Sequence, residues 1–421
     1  MTCLIVGGGI AGFQAASICR ALRPDEAVTV IDAEKEVGYY RALLPQFMVG
    51  ALPEEKLFFR CREADPLLTV RSGVRVKSLD RSARRLLLDT GEALSYDRLI
   101  LAHGGEPFLP GILAGPPCRG IFPVRNLTTA RITKEWLTDH RKVIIFGGSL
   151  VGIKTAIHLN QAGFEVSIVV RRGHILLRAL SEEAAKVVEA HLCKQGIEIC
   201  VNADLEDLRA RDDRIDSLKI GGRWLSCATL LVAAGIAPDT SFLMGTGLLT
   251  EGELLVSPAL QTIDPRIFAA GDVAIIASGG QKISPNTWPQ AVSQGRHAAE
   301  NLYRSSPVPH RDLTRINAME LHGLSMVVLG PPVSGAEVIS HAGPEASVRR
   351  ELFLVGGRPV GGALIGDISA AGTLHALINI GRPLNARDAG LLRPHTANVI
   401  RFPEQTGCRE ALILSPKRSS L

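Results

Sequence analysis

Two short glycine runs in this chain have the spacing that lets a backbone hold a diphosphate. Gly7, Gly9 and Gly12 fit G-x-G-x-x-G. In that pattern the first glycine makes a tight turn, the second lets a diphosphate approach the main chain, and the third lets the next helix pack close to its strand. The amides and dipole at the helix start then face the phosphates. Asp32 stands at the end of the following strand-like run, where a carboxylate bonds the hydroxyls of an adenosine ribose; Glu34 is the alternative acid for that contact. Gly147, Ser149 and Gly152 repeat the spacing with serine in the middle place, small enough that a diphosphate still fits, though less closely. The run after this second loop ends in Arg171 and Arg172, with no acid to bond a 2′-hydroxyl. Guanidinium groups suit a 2′-phosphate, which points to NADPH over NADH.

Such loops work only at the junction of a strand and a helix, and the flanking sequence supplies both. Residues 3–6 are a short apolar run, an alanine-rich stretch reaches about Leu22, Pro24 closes it, and residues 28–31 are β-branched and apolar. The same grammar recurs about 140 residues later, with strand-like runs at 143–146, 166–170 and 197–201. Gly163 and Gly196 stop the intervening helices, and Ser181 opens the second of these ahead of Glu182 and Glu183, where carboxylates suit the helix dipole. The expected fold class is therefore α/β, with two Rossmann-like three-layer dinucleotide-binding domains and a smaller C-terminal α+β domain. The expected boundaries put 1–110 and 229–304 in a discontinuous first domain, 111–228 in the second and 305–421 in the third. Prolines and glycines between Pro107 and Pro117 mark the crossing, and Pro307 and Pro309 mark the start of the last unit. In that unit, 325–329 and 352–355 read as strands and 370–378 as a helix.

Composition removes several function classes. The 47 basic against 42 acidic residues leave a formal charge of +5, too diffuse to argue for nucleic acid. No run of 18 apolar residues occurs, and no basic start precedes a cleavable apolar stretch, so a soluble protein without a transmembrane segment is expected. The 8 cysteines, among them Cys61 and Cys408, form no C-x-x-C, so no metal or iron–sulfur site is expected, and the thiols read as residues of a reducing cytoplasm.

Further motifs make the chain resemble the pyridine nucleotide–disulfide oxidoreductase superfamily, and within it the flavin portion of NAD(P)H nitrite reductases and the rubredoxin and ferredoxin reductases. Residues 96–104, Tyr-Asp-Arg-Leu-Ile-Leu-Ala-His-Gly, resemble its Y-D-x-L-I-L-A-T-G, with His103 in place of threonine. Residues 230–235, ending in Gly235, resemble the second such segment; 267–273, containing Gly271 and Asp272, resemble the A-x-G-D motif; and 288–296 resemble the helix after it. Residues 364–367 resemble the C-terminal domain of the nitrite reductase type. The resemblance implies FAD on the first loop, NADP or NAD on the second, Asp272 at the ribityl–phosphate region, the start of the last helix facing the flavin ring, and Arg41 near the FAD diphosphate.

It also exposes absences. Where disulfide reductases carry a redox cysteine, residues 39–46 hold none, so thiol chemistry at the flavin is not expected. Sites for the iron–sulfur and sirohaem centres are missing, so nitrite reduction would need a partner. A glutamate usual in the family has become Lys154, and a lysine of the ferredoxin-reductase type has become Gln46. Lys154 is thus the candidate catalytic residue, a cation near the flavin. The expected function is hydride transfer from NAD(P)H to FAD and onward electron transfer to a small electron-carrier protein. A quinone reductase is the alternative, with Gln290 and Gln294 facing the ring, and a non-catalytic FAD-binding subunit is the second alternative. A homodimer is compatible with all of these.

Overall fold

In the computed structural model the described residues are 2–385 and Asp388, less 60–64, 114, 116–117, 279–280, 285–286, 311–315 and 344. Cys61, Pro116, Pro117, Cys408 and the tail of the expected C-terminal unit lie outside them.

The first glycine loop sits in a five-stranded parallel sheet ordered Ile267–Ala269, Arg98–Leu101, Thr2–Val6, Ala27–Asp32, Leu68–Ser72. Helix α1 (Ile10–Leu22) leaves the central strand, and α6 (Trp288–Leu302) crosses α1 at Gly295, where a Cβ would stand 2.2 Å from the Ala11 carbonyl oxygen. Only glycine permits that approach. The second loop sits in another five-stranded parallel sheet, ordered Ile121–Pro123, Thr229–Val232, Lys142–Phe146, Glu165–Val170, Glu198–Val201. It carries α3 (Leu127–Trp136), α4 (Leu150–Gln161) and α5 (Glu182–Lys194). The Ser181 hydroxyl caps α5 by accepting from the Ala184 amide at 3.1 Å, as the sequence predicts.

Alternation along single strands builds the three layers. Val143 and Ile145 enter a core shared with α4 and α5, while Ile144 and Phe146 enter a separate core under the antiparallel meander 205–226. The strand Thr229–Val232 corrects the expected boundary. It pairs in parallel with Lys142–Phe146 and so completes the second sheet rather than returning to the first. The chain crosses back just after it, where Ile236–Ala237 pairs antiparallel with Glu106–Pro107.

The last unit is a five-stranded antiparallel sheet, Ile316–Leu321, Leu324–Leu329, Arg358–Ile365, Arg349–Val355, Glu337–Ala342, with α7 (Ala371–Ile380) on one face. Leu329, Leu352 and Leu364 pack under α7, whereas Leu324, Met326 and Ile365 face away from it and join the core of the second dinucleotide unit. Tyr39, Leu44, Phe47 and Leu57, which the sequence order gives to the first unit, belong to that same second core. Short helix α2 (Leu44–Met48) is wedged there between α3 and α4. Among the described residues no helix is long and apolar enough to cross a membrane.

Candidate functional site

The three glycines of the first loop do three different things. Gly7 has φ +114°, and a Cβ there would stand 2.3 Å from the Ala102 carbonyl oxygen. At Gly12 a Cβ would stand 1.9 Å from the Gly7 oxygen, so the glycine lets α1 lie against its strand. At Gly9 a Cβ would meet nothing within 4 Å. Gly9 is also the N-cap of α1 and brings no side-chain cap, so the first-turn amides face open space. Asp32 binds the loop itself: its two oxygens accept from the Gly8 amide and from the Glu34 amide, the latter at 2.7 Å. Burial raises the Asp32 carboxyl above its ordinary range, and those two hydrogen bonds oppose the shift.

Next to this loop lies an ionic network that spans distant sequence. Arg41 pairs with Glu34 at 2.5 Å and donates to the Tyr39 hydroxyl at 2.9 Å and to the Arg125 carbonyl at 3.1 Å. Tyr39 in turn donates to Glu34. Glu34, the alternative ribose acid, therefore has each oxygen engaged by a protein donor. Arg125 donates to the Gly105 carbonyl at 3.0 Å and to Asp272 at 3.3 Å. Burial, and then the neighbouring Arg41 charge, push the Arg125 guanidinium down. Sequence reasoning missed Arg125. Its one local signal is its place between a strand and Asn126, whose side chain caps α3 through the Thr129 amide at 2.8 Å.

Gly271 turns with φ +77° and donates its amide to Gln294 Oε1 at 2.8 Å. Among the described residues, Gln294 Nε2 is then buried without a partner, and the Thr287 hydroxyl at the uncapped start of α6 is buried and unpartnered too. Bare α1 amides, free space at Gly9 and orphaned polar atoms beside α6 are what a long diphosphate-bearing cofactor would satisfy. The residues present fit FAD. At the start of α6, Trp288 is half-buried against Tyr40, with ring centroids 5.0 Å apart; Tyr40 meets Phe59 at 5.4 Å, and Phe59 meets Phe13 of α1 at 5.4 Å. His103 lies at the other end of the loop. Its ring nitrogens are buried, its ring meets the edge of Phe242 at 4.9 Å, and burial pushes its pKa down to about 4.

The second loop shares the geometry of the first in part. Gly147 has φ +125°, and a Cβ on Gly152 would stand 2.1 Å from the Gly147 oxygen. Ser149 is the N-cap of α4, and its hydroxyl accepts from the Gly152 amide at 3.3 Å. Gly235, with φ +116° and open space about it, accepts from the Phe108 amide where the chain crosses between units. Arg171 and Arg172 are exposed at the end of their strand and form no ion pair among the described residues. Lys154 sits in the second turn of α4, half-buried, with no hydrogen-bond or ion-pair partner among the described residues; burial lowers its pKa, and its charge helps lower that of His158 one turn on. Gln46 lies on α2, which packs against α4, so the two departures from the family's residues are on neighbouring helices.

Residues 1–295 match the profile of the family described as pyridine nucleotide-disulphide oxidoreductase. The NADH oxidase of Methanocaldococcus jannaschii is 27% identical over 381 residues, covering 86% of this chain and 83% of that protein. The ferredoxin–NAD(+) reductase component of the anthranilate 1,2-dioxygenase system of Burkholderia cepacia is 26% identical over 377 residues, covering 86% of this chain and 92% of that protein. The crystal structure of the covalent putidaredoxin reductase–putidaredoxin complex superposes with a TM-score of 0.85 over 92% of this chain and 95% of that one, at 20% identity, a likeness of fold. With the two loops built as described, the chain belongs to the pyridine nucleotide-disulphide oxidoreductase family and is an FAD-dependent NAD(P)H oxidoreductase.

Proposed function

We propose that the protein takes reducing equivalents from NADPH and delivers them to a small electron-carrier protein. The observation that carries this reading is the make-up of α2. Where a redox thiol would stand, α2 carries Leu44, Pro45, Phe47 and Met48, buried in a packed core, so this helix offers no thiol to relay electrons. Bound FAD would accept a hydride and release electrons singly, which suits a one-electron carrier. The chain's own residues bind and orient: the α1 amides and Asp272 hold the cofactor, and Arg125 ties the segment before α3 to Asp272. Arg171 and Arg172, exposed and with no ion pair among the described residues, would receive a 2′-phosphate, and Lys154 would lend positive charge near the flavin. The Burkholderia relative, a ferredoxin–NAD(+) reductase component, supports the choice of acceptor. The described cysteines are free thiols, which suits a reducing cytoplasm.

The quinone alternative loses ground. Gln290 and Gln294 are buried rather than set in an open mouth, and the Gln294 carbonyl is engaged by Gly271. Anaerobic stopped-flow mixing with NADPH and with NADH, followed by addition of a [2Fe–2S] ferredoxin, a rubredoxin or a soluble quinone, tests the reading. Bleaching of the flavin by NADPH and rapid reduction of an iron–sulfur carrier are expected. Reduction of the quinone alone would overturn the acceptor, and no bleaching with either nucleotide would mean a flavin-binding subunit.

A further inference from the structure

At their middle position the two glycine loops differ, Gly9 against Ser149, and the difference is one of hydrogen-bond direction. At the first loop the N-cap is Gly9, so nothing competes for the α1 amides, and the space a side chain would fill is free. At the second loop the N-cap is Ser149. Its hydroxyl accepts from the Gly152 amide at 3.3 Å and donates its proton to the Ala233 carbonyl at 3.0 Å. A hydroxyl has a single proton to give. With that proton turned inward, Ser149 offers only lone pairs to an anion arriving at the helix start. It also occupies one of the amides that the anion would use. Ser149 is exposed at the loop, so solvent and ligand reach it freely.

We propose that Ser149 is what keeps the nicotinamide nucleotide exchangeable while the bare first loop retains FAD. This rests on the reading of the second loop as the nucleotide site. A diphosphate settling there either stays farther from the main chain or makes Ser149 swing out and give up both hydrogen bonds. Each course weakens binding and speeds release, as an enzyme that must shed the oxidised nucleotide every turnover requires. Ser149 is a positioning residue for the α4 amides.

The test compares wild-type, Ser149→Gly and Ser149→Asp in the FAD-loaded protein, with NADP+ as the probe. Calorimetry gives Kd, and stopped-flow displacement gives the dissociation rate. Glycine is nearly as good as serine at an N-cap and aspartate is as good, so both variants keep the helix start intact. Ser149→Gly is expected to lower Kd and the dissociation rate about tenfold, the scale of one hydrogen bond to a charged group. Ser149→Asp, which presents a full negative charge, is expected to lose measurable binding while the bound FAD per chain stays at the wild-type value. Unchanged or weaker binding in Ser149→Gly, with loss in Ser149→Asp, overturns the proposal and leaves the loop as the nucleotide site. Unchanged binding in both variants overturns the reading beneath it.

Discussion

Replacing His103 by leucine should flatten the acid side of the protein's stability profile. The ring nitrogens are buried beside Phe242, and the imidazole pKa falls from 6.5 to about 4. Burial, which disfavours the charged form, is the main cause; the Asp239 carboxylate opposes it. The unfolded chain therefore takes up a proton at His103 at a pH where the folded protein does not. The sign follows from linkage: stability is undiminished above pH 6.5 and is lost as the pH falls from 6.5 towards 4. A gap of 6.5 to about 4 corresponds to about 3 kcal/mol in full, of which about 2 kcal/mol is already lost at pH 5. Leucine fills the same space against Phe242 and cannot titrate. Urea unfolding at saturating FAD, for wild-type and His103→Leu at pH 7 and pH 5, isolates this residue from all other titrating groups. Wild-type should lose about 2 kcal/mol more than the variant between those pH values. Equal losses in the two proteins would refute the reasoning.

Three further outcomes are expected. Gly9→Val should fold yet purify without yellow colour, because the new side chain enters the free space outside the bare α1 amides; normal FAD content by absorbance would contradict the site. Arg172→Glu should weaken NADPH more than NADH by roughly 1–3 kcal/mol for a lost charge-assisted contact, and equal changes in the two KM values would show that the arginine does not read the 2′-phosphate. Lys154→Met should lower the flavin midpoint potential in a redox titration, since a half-buried ammonium near the flavin favours the anionic reduced ring; an unchanged potential would remove Lys154 from the site.

The parts of the site legible in the sequence are those whose chemistry forces a local pattern. A diphosphate held by main chain needs glycines at fixed spacing between a strand and a helix, and both loops lie where that spacing puts them. Ser181 as a cap is legible for the same reason, because the partner amide is three residues away. The parts that were not legible depend on partners far along the chain. Arg125 and Asp272 are 147 positions apart, and Arg41 reaches a carbonyl 84 positions away. No residue type within either segment announces such a pairing. The strand Thr229–Val232 misled the boundary because a parallel strand carries no mark of which neighbour it will join, and its neighbour in the sheet lies some 85 residues earlier. By sequence Ser149 is only a small residue in a glycine's place, since sequence does not show which way a hydroxyl points.

The shared core has a consequence for modularity. By order along the chain, the second nucleotide unit is an insert that enters and leaves through the ribbon of Glu106–Pro107 and Ile236–Ala237. By packing, it is not an interchangeable cassette. Excision at the ribbon would strip Tyr39, Leu44, Phe47 and Leu57 of the apolar surface they bury and would bare Leu324, Met326 and Ile365 of the last sheet. A chimera that borrows this unit to change nucleotide preference must therefore transplant residues 39–57 and the facing side of the C-terminal sheet with it. Recombination in this fold is constrained by a boundary that runs through the packed interior and not along the chain.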